Sequence, residues 1–157
     1  MVDSNTNSSS RLTSLTQIVR EIDSAADLES ALRLLVHRTR EVMGADVCTV
    51  YFTDEASRRH VAAATDGLSS RIVGNVQFEF GTGLIGRVAE SRQPVNLDRV
   101  PQALDQSFLE QTGTKPYQGF LGVPVRSSIV TRSASMRWMT LICGSVISEN
   151  LYPKPTT

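Results

Sequence analysis

Two runs of strand-forming residues are separated by only a short polar segment, and this pairing constrains the fold more than any other feature. Residues 47–52 (VCTVYF) are apolar, aromatic or β-branched, which is typical of a strand buried on both faces. The polar residues 54–59 follow, and 60–65 returns as a second strand. Strands joined by so short a connection run antiparallel, so the chain predicts a largely antiparallel sheet with helices beside it.

Helical periodicity marks two segments before the first strand. The first, residues 11–22, carries apolar side chains at the spacing of one helical face. The second begins after Ser24 and Asp27, whose side-chain oxygens can cap a helix, and Gly44 ends it as a left-handed cap. Residues 1–10 (MVDSNTNSSS) are polar, and we expect a disordered tail there.

Alternation of apolar and polar residues marks a third strand further along the chain. Val76, Phe78 and Phe80 alternate with polar residues, which predicts a half-buried strand with Phe80 on the buried side. The later predicted elements follow in order: a short helix over 83–91, a brief strand over 94–97, a linking segment over 98–112, and a strand over 117–125 in which Pro124 indicates an edge position or a bulge. The fold class is therefore α+β.

Charge and hydropathy exclude several classes of protein. Lys and Arg together number 16, as do Asp and Glu, so no net positive field attracts nucleic acid or anionic lipid. No apolar run approaches the roughly 20 residues that a membrane-spanning helix needs, and residues 1–10 lack the apolar core of a secretory signal. We expect a cytoplasmic protein that binds neither nucleic acid nor a membrane.

The two cysteines and two histidines do not form a recognisable reactive set. Cys48 and Cys143 lie in apolar runs and are expected to be reduced, buried thiols. His37 lies in a predicted helix and His60 begins a strand, so each is expected to be structural or solvated, and loss of His60 is expected to cost little stability. Their spacing matches no structural zinc site, and there is no nucleophile elbow. The sequence therefore predicts no metal, no cofactor and no catalytic residue.

Residues 81–86 (GTGLIG) form a literal G-x-G-x-x-G between a predicted strand and a predicted helix. A dinucleotide-binding fold needs a first strand buried on both faces and a longer helix after the glycines. Here the strand alternates, and Gln93 with Pro94 ends the helix early. The glycines are therefore expected to permit a tight turn and close packing rather than to bind a dinucleotide.

Several motifs in order resemble a GAF domain: two helices before VCTVYF, a hairpin, FGTGLIGRVAESRQPVNL, and then FLGVPV. Over residues 12–125 they are most similar to the amino-terminal GAF domain of the nitrogen phosphotransferase system enzyme I family. The resemblance implies a six-stranded antiparallel sheet with helices packed on it. It also implies a dimeric regulatory domain that senses nitrogen-status metabolites such as glutamine or 2-oxoglutarate. The catalytic domains of such a phosphotransferase have no counterpart in this sequence, so no enzymatic activity is expected of it.

The resemblance divides the chain into a tail (1–10), a GAF-like domain (11–125) and an atypical carboxy-terminal segment (126–157). The family continues with a hairpin, a last central strand and a helix, and 126–157 resembles none of these, as a truncated or altered end would. The apolar run 137–148 is the one candidate for the last strand. Either it completes the sheet in makeshift register or the end packs poorly and leaves an unpaired edge.

The resemblance also places a ligand between the sheet and the segments 82–87 and 98–112. The residues it assigns to that site are Phe78, Phe80, Thr82, Gly83, Leu84, Phe108, Tyr117 and Phe120. Two other functions stay open. One is a dimerisation or interaction module without a ligand. The other is a cysteine-based methionine sulfoxide reductase, which the position of Cys48 in an apolar strand disfavours.

Overall fold

One six-stranded antiparallel sheet with helices on both faces forms the described part of the chain, as the α+β prediction requires. The computed structural model describes residues 16–17, 20–21, 24–101, 109–113, 117–126 and 138–146. In chain order the elements are α1 (Leu28–Met43), β1 (Val47–Asp54), β2 (Arg59–Asp66), a short 3-10 helix (Ser70–Ile72), β3 (Gln77–Glu79), α2 (Gly83–Ser91), β4 (Val95–Leu97), β5 (Tyr117–Arg126) and β6 (Trp138–Val146). The strand order is β3-β2-β1-β6-β5-β4.

Both ends of α1 are capped as the sequence predicts. The Asp27 carboxylate accepts a hydrogen bond of 2.7 Å from the backbone N–H of Ser30, which satisfies one of the free amide groups of the first turn. At the other end Gly44 adopts a left-handed conformation with φ of 60°, and its N–H bonds back to the last turn.

The helix predicted over residues 11–22 is described only in part. Residues 16, 17, 20 and 21 are helical. The carboxylate of Glu21 accepts hydrogen bonds of 2.8 and 3.0 Å from the guanidinium of Arg38. This two-point ion pair attaches the first helical segment to α1. Residues 11–15, 18–19 and 22 lie outside the described residues.

Each face of the sheet has its own hydrophobic core. The α1-side core is formed by Leu32, Val36, Cys48, Val50, Ala64, Met139 and Cys143. The α2-side core is formed by Val47, Tyr51, Ala62, Ile72, Val76, Phe78, Leu84, Ile85, Val88, Tyr117, Phe120 and Ile142. Successive residues of a strand point to opposite faces, so β1 and β6 each contribute to both cores.

The apolar run predicted over 137–148 supplies the central strand of the sheet. β6 pairs with β1 from Val47↔Gly144 to Thr53↔Trp138 without a shift in register. On its other side it pairs with β5 along the whole of that strand, with one irregularity between Tyr117 and Gly119. Of the two outcomes expected from the sequence, the structure shows the one in which this run completes the sheet. Residues 1–10, 127–137 and 147–157 lie outside the described residues.

β5 has an open edge along part of its length. β4 pairs only with the residues from Phe120 to Gly122, so Pro124 lies where no β4 residue faces it. This agrees with the edge position predicted from the proline. The buried face of β5 carries Tyr117, Phe120 and Gly122, whereas Val125 on the other face is exposed.

The third strand is shorter than its apolar alternation suggests. β3 runs only from Gln77 to Glu79, so Phe78 is the one residue of the three alternating apolar residues that lies within it. The Phe78 ring enters the core and meets Tyr51 edge-on, with centroids 5.9 Å apart. Phe80 follows the strand at the turn before Gly81 and is only half-buried. Phe80 is therefore less buried than its place on the apolar side of the alternation predicts, because the strand ends before the alternation does.

Replacing Phe78 with alanine is expected to destabilise the fold by about 3–5 kcal/mol, since a fully buried ring leaves a cavity. Phe80→Ala is the matched control and is expected to cost less than half as much, because part of its ring is already in water. Chemical denaturation of both variants measures the difference. Equal costs would contradict the burial described for the two rings.

Candidate functional site

A cleft of about 380 Å³ lies at the edge of the sheet, beside β3 and the start of α2. We call it the edge cleft, and its lining residues are Arg59, Gln77, Phe78, Glu79, Thr82 and Gln111. Arg59 comes from β2, the next three residues from β3, Thr82 from the start of α2, and Gln111 from the helical residues 109–112. A volume of this size suits a small metabolite.

Opposite charges and amides converge in the edge cleft. Arg59 and Glu79 are directly opposed in the pairing of β2 with β3. The Arg59 guanidinium donates a 3.0 Å hydrogen bond to the side-chain oxygen of Gln77. The side-chain oxygen of Gln111 accepts a 3.3 Å bond from the backbone N–H of Gln77. The cleft thus combines a cation, an anion and two amide groups beside β3, whose Phe78 is buried in the core.

The glycines of GTGLIG shape the turn that leads from the cleft into α2. Gly81 has φ of 77°, a conformation that residues with a Cβ rarely adopt. A Cβ on Gly86 would lie 3.1 Å from the backbone carbon of Gly81, so the first turn of α2 packs directly on the preceding loop. The interpretation of a tight turn and close packing is therefore confirmed.

The site residues predicted from the sequence do not lie together: some line the edge cleft and others are buried in the core. Phe78 and Thr82 line the edge cleft, and Gly83 begins α2 directly after Thr82. The side chain of Leu84 is buried in the α2-side core, as are those of Tyr117 and Phe120, whose rings are 6.4 Å apart. Phe80 packs on His60, and Phe108 lies outside the described residues.

Sequence reasoning missed the polar half of the edge cleft. Arg59, Gln77, Glu79 and Gln111 were not predicted, because each reads as an ordinary exposed residue in its own segment. The available signal was the alternation of Gln77 and Glu79 with Phe78, which marks an edge or half-buried strand. It does not reveal which residue of β2 lies opposite Glu79, because the register becomes visible only once the strands pair.

A buried stack of side chains lies next to the edge cleft. His60 is 1% exposed, and its ring stacks on Phe80 at 4.8 Å with Arg58 over the Phe80 ring. Its Nδ1 lies 3.1 Å from the hydroxyl of Thr53, while the described residues offer Nε2 no hydrogen-bond partner. Burial lowers the pKa of His60, and the negative charge of Glu90 partly opposes this effect. His60 is structural, which is one of the two environments predicted for it, and its burial favours a larger effect on stability than the sequence suggested.

His37 has a different environment on the surface of α1. Its Nδ1 lies 2.9 Å from the Asp66 carboxylate, and Arg40 donates a 3.2 Å hydrogen bond to the same group. Burial acts to raise the pKa of Asp66, but the hydrogen bonds from His37 and Arg40 outweigh it and hold that pKa below its usual range. His37 therefore helps to attach α1 to the end of β2 and does not line the edge cleft.

A second cleft of about 490 Å³ is larger and more open to solvent. It lies towards the other edge of the sheet, beside β4, β5 and β6. It lies beside the end of α1, around Gly44, Asn96, Asp98, Gln118 and Cys143, and we call it the β4–β6 cleft.

Neither Cys143 nor Cys48 lines the edge cleft. The thiols are thus separated from the charged and amide groups there, which does not favour a cysteine-based reductase acting on a ligand in the edge cleft.

The part of the chain that the structure describes contains neither a metal-binding cluster nor a membrane-spanning helix. Within it, no three His, Cys, Asp or Glu side chains are grouped as a metal ion requires. None of the helices described there is long and apolar enough to cross a membrane.

Comparison with known protein families identifies the fold. The family model for the GAF domain matches residues 27–148, which runs from the cap of α1 past the end of β6. The chain belongs to the GAF family. The GAF domain is a regulatory, ligand-binding type of domain, and the match includes the whole sheet together with the edge cleft.

GAF domains of phosphoenolpyruvate-dependent phosphotransferases are among the relatives of this chain. The chain is 32% identical over 114 residues to the phosphoenolpyruvate-dependent phosphotransferase system protein of Escherichia coli, covering 73% of this chain but 15% of that protein. The GAF domain of a phosphoenolpyruvate-protein phosphotransferase from Coxiella burnetii is 34% identical with a TM-score of 0.72, over 86% of this chain and 77% of that one. The corresponding Acinetobacter domain is 29% identical with a TM-score of 0.69, over 89% and 82% of the two chains.

The buried His60 predicts that stability depends on pH. Because folding lowers its pKa, its neutral form is favoured in the folded state, and the contribution is complete above the unfolded pKa of about 6.5. As the pH falls below that value, the unfolded chain takes up a proton before the folded one does, and stability declines. Denaturation between pH 5 and 8 is expected to show this slope in the wild type.

His60→Gln is expected to remove that slope, since glutamine does not titrate. His37→Gln is the control, because it alters the other histidine of the chain and leaves the buried ring in place. A slope that disappears with His37→Gln and persists with His60→Gln would contradict the assignment.

Proposed function

We propose that this GAF domain is the cytoplasmic small-molecule sensor of a phosphoenolpyruvate–protein phosphotransferase, that it responds to nitrogen status, and that it has no catalytic role of its own. The similarity to GAF domains of such phosphotransferases supports the class of enzyme. The observation that supports the ligand most directly is the pair of opposite charges, Arg59 and Glu79, in a cleft of metabolite size.

The edge cleft favours glutamine over 2-oxoglutarate. A guanidinium binds a carboxylate through charge-assisted hydrogen bonds, so Arg59 provides a site for the α-carboxylate that both metabolites carry. Glu79 then attracts the ammonium group of glutamine but repels the second carboxylate of 2-oxoglutarate. The side chains of Gln77 and Gln111 offer the donors and acceptors that a ligand amide needs.

Ligand-induced stabilisation tests this proposal. A ligand that binds only the folded state raises the free energy of unfolding by RT ln(1 + [L]/Kd), which is about 1.4 kcal/mol at ten times Kd. Glutamine at millimolar concentration is expected to raise Tm by a few degrees, and 2-oxoglutarate by less. Differential scanning fluorimetry of the folded chain measures both shifts.

Arg59→Gln is expected to reduce the affinity for glutamine about 10–100-fold, because it removes a charge-assisted hydrogen bond. The control is Arg87→Gln, which makes the same change of charge at an exposed position of α2 outside the cleft. Isothermal titration compares the variants with the wild type. Unaltered binding by Arg59→Gln would place the ligand elsewhere, and no stabilisation by either metabolite would favour a dimerisation module without a ligand.

We also propose that the domain forms a homodimer through the carboxy-terminal end of α1. Val42 and Met43 are 53% and 51% exposed, and the Glu21–Arg38 ion pair joins the first helical segment to α1 one turn before Val42. Two adjacent large apolar side chains in water, next to a docked helix, are consistent with a self-associating surface.

Val42→Asp is expected to weaken dimerisation at least about tenfold, because it places a charge in an apolar interface. Val73→Asp is the control, since Val73 is also exposed, at 38%, but lies after the 3-10 helix and away from α1. Sedimentation velocity across a range of concentrations reports the dissociation constant. Equal dimerisation of both variants would place the interface on another surface.

A further inference from the structure

The two cysteines of the chain are brought together at the centre of the sheet, although they are 95 positions apart in sequence. Cys48 on β1 and Cys143 on β6 are directly opposed partners in the strand pairing. Their Sγ atoms are 3.3 Å apart and both side chains lie in the α1-side core. The sequence alone placed these thiols in separate apolar runs, where two cysteines could pair but reduced thiols were expected.

Directly opposed residues of antiparallel strands suit a disulfide. Their Cα atoms are about 4.5–5.5 Å apart, which lies within the range of about 4.4–6.8 Å that disulfides span. The two sulfur atoms have to approach by roughly 1.3 Å to reach the bond length of about 2.05 Å. Rotation of the two side chains can provide that approach while the strands stay paired.

Solvent reaches the two thiols unequally. Cys48 has no exposed surface, whereas Cys143 is 6% exposed and lines the β4–β6 cleft beside Gly144 and the turn at Gly44 and Ala45. Cys143 is therefore the cysteine of the pair that a small oxidant meets from the cleft, because Cys48 has no surface open to solvent.

The contact between the sulfur atoms also shifts the pKa values of the two thiols in opposite directions. Either sulfur can donate the hydrogen bond in this contact. When Cys143 is the thiolate, the Cys48 thiol donates to it, and this lowers the pKa of Cys143 although burial acts to raise it. The same hydrogen bond, together with burial, raises the pKa of Cys48 and keeps it protonated. The accessible sulfur is thus the better nucleophile, and the buried one is held beside it.

We propose that Cys48 and Cys143 form a reversible disulfide modification site that responds to hydrogen peroxide or a small organic hydroperoxide. The Cys143 thiolate attacks the peroxide oxygen, the O–O bond breaks, and Cys143 becomes a sulfenic acid while water or an alcohol leaves with the thiol proton. Cys48 then loses its proton and attacks the Cys143 sulfur, which releases water and forms the S–S bond. In total two thiols are oxidised by two electrons, and a dithiol reductant restores them.

The disulfide covalently joins the two central strands. It closes a loop that contains β2, β3, α2, β4 and β5, so it restricts the unfolded chain strongly. It also fixes the inner wall of the β4–β6 cleft at Cys143. The proposal is independent of the ligand proposed for the edge cleft, because neither cysteine contacts that cleft.

Oxidation of the wild-type chain with stoichiometric hydrogen peroxide tests the proposal without any substitution. We expect the number of free thiols, titrated after denaturation, to fall from two to zero in a monomeric fraction, with the intact mass reduced by two hydrogens. We expect the oxidised chain to melt at least about 5 °C higher and dithiothreitol to reverse both changes. Disulfide-linked dimers, a Cys143 sulfinic acid without an S–S bond, or unreacted thiols would each overturn it.

Two single variants test the assigned order of events. With Cys48→Ser, which keeps a hydrogen-bond donor but no thiol, Cys143 has no partner for a disulfide and is expected to be trapped as a sulfenic acid by dimedone in the folded chain. With Cys143→Ala, Cys48 is expected to resist both dimedone and alkylation until the chain is unfolded. The reverse pattern would overturn the assignment of Cys143 as the attacking thiol, and circular dichroism confirms that each variant is folded.

Discussion

β1 and β6 lie side by side at the centre of the sheet and are covered on both faces, by α1 on one side and by α2 on the other. Their unbroken register aligns the residues that enter each core, because a slip of one residue would exchange the two faces of a strand. β2 and β3 extend the sheet from β1, and β5 and β4 extend it from β6. Both clefts therefore depend on this one antiparallel pairing.

The two clefts differ in how the sheet creates them. The edge cleft forms where the sheet ends at β3, so that polar groups of the last two strands remain open to solvent beside a buried ring. The β4–β6 cleft lies beside the end of α1, and Cys143 is among the residues that line it. A regulatory domain with this arrangement can recognise a metabolite at one edge and carry a redox-active pair at its centre, without a shared residue.

Much of the fold could be predicted from local patterns. The capping residues Asp27 and Gly44 bound α1 as expected, and α2 begins and ends at the predicted residues. Phe80 shows where such patterns fail, since alternation continues in the sequence after pairing with β2 has ended. The candidate site could be predicted less well, because four of its six lining residues are polar residues that look like ordinary surface residues until the strands are aligned.

The sequence by itself determined most of the order of helices and strands and the antiparallel sheet, because propensity, capping and alternation act between residues that are near one another in the chain. Its ordered motifs resemble the GAF family, and it left open whether residues 137–148 complete the sheet. Only the tertiary structure decided which distant residues meet. The register between strands places Arg59 opposite Glu79 and Cys48 opposite Cys143, and burial of His60 follows from the packing of Phe80 over it. These contacts join positions with no local signal in common, so they exist only after hydrophobic burial has fixed the register of the whole sheet.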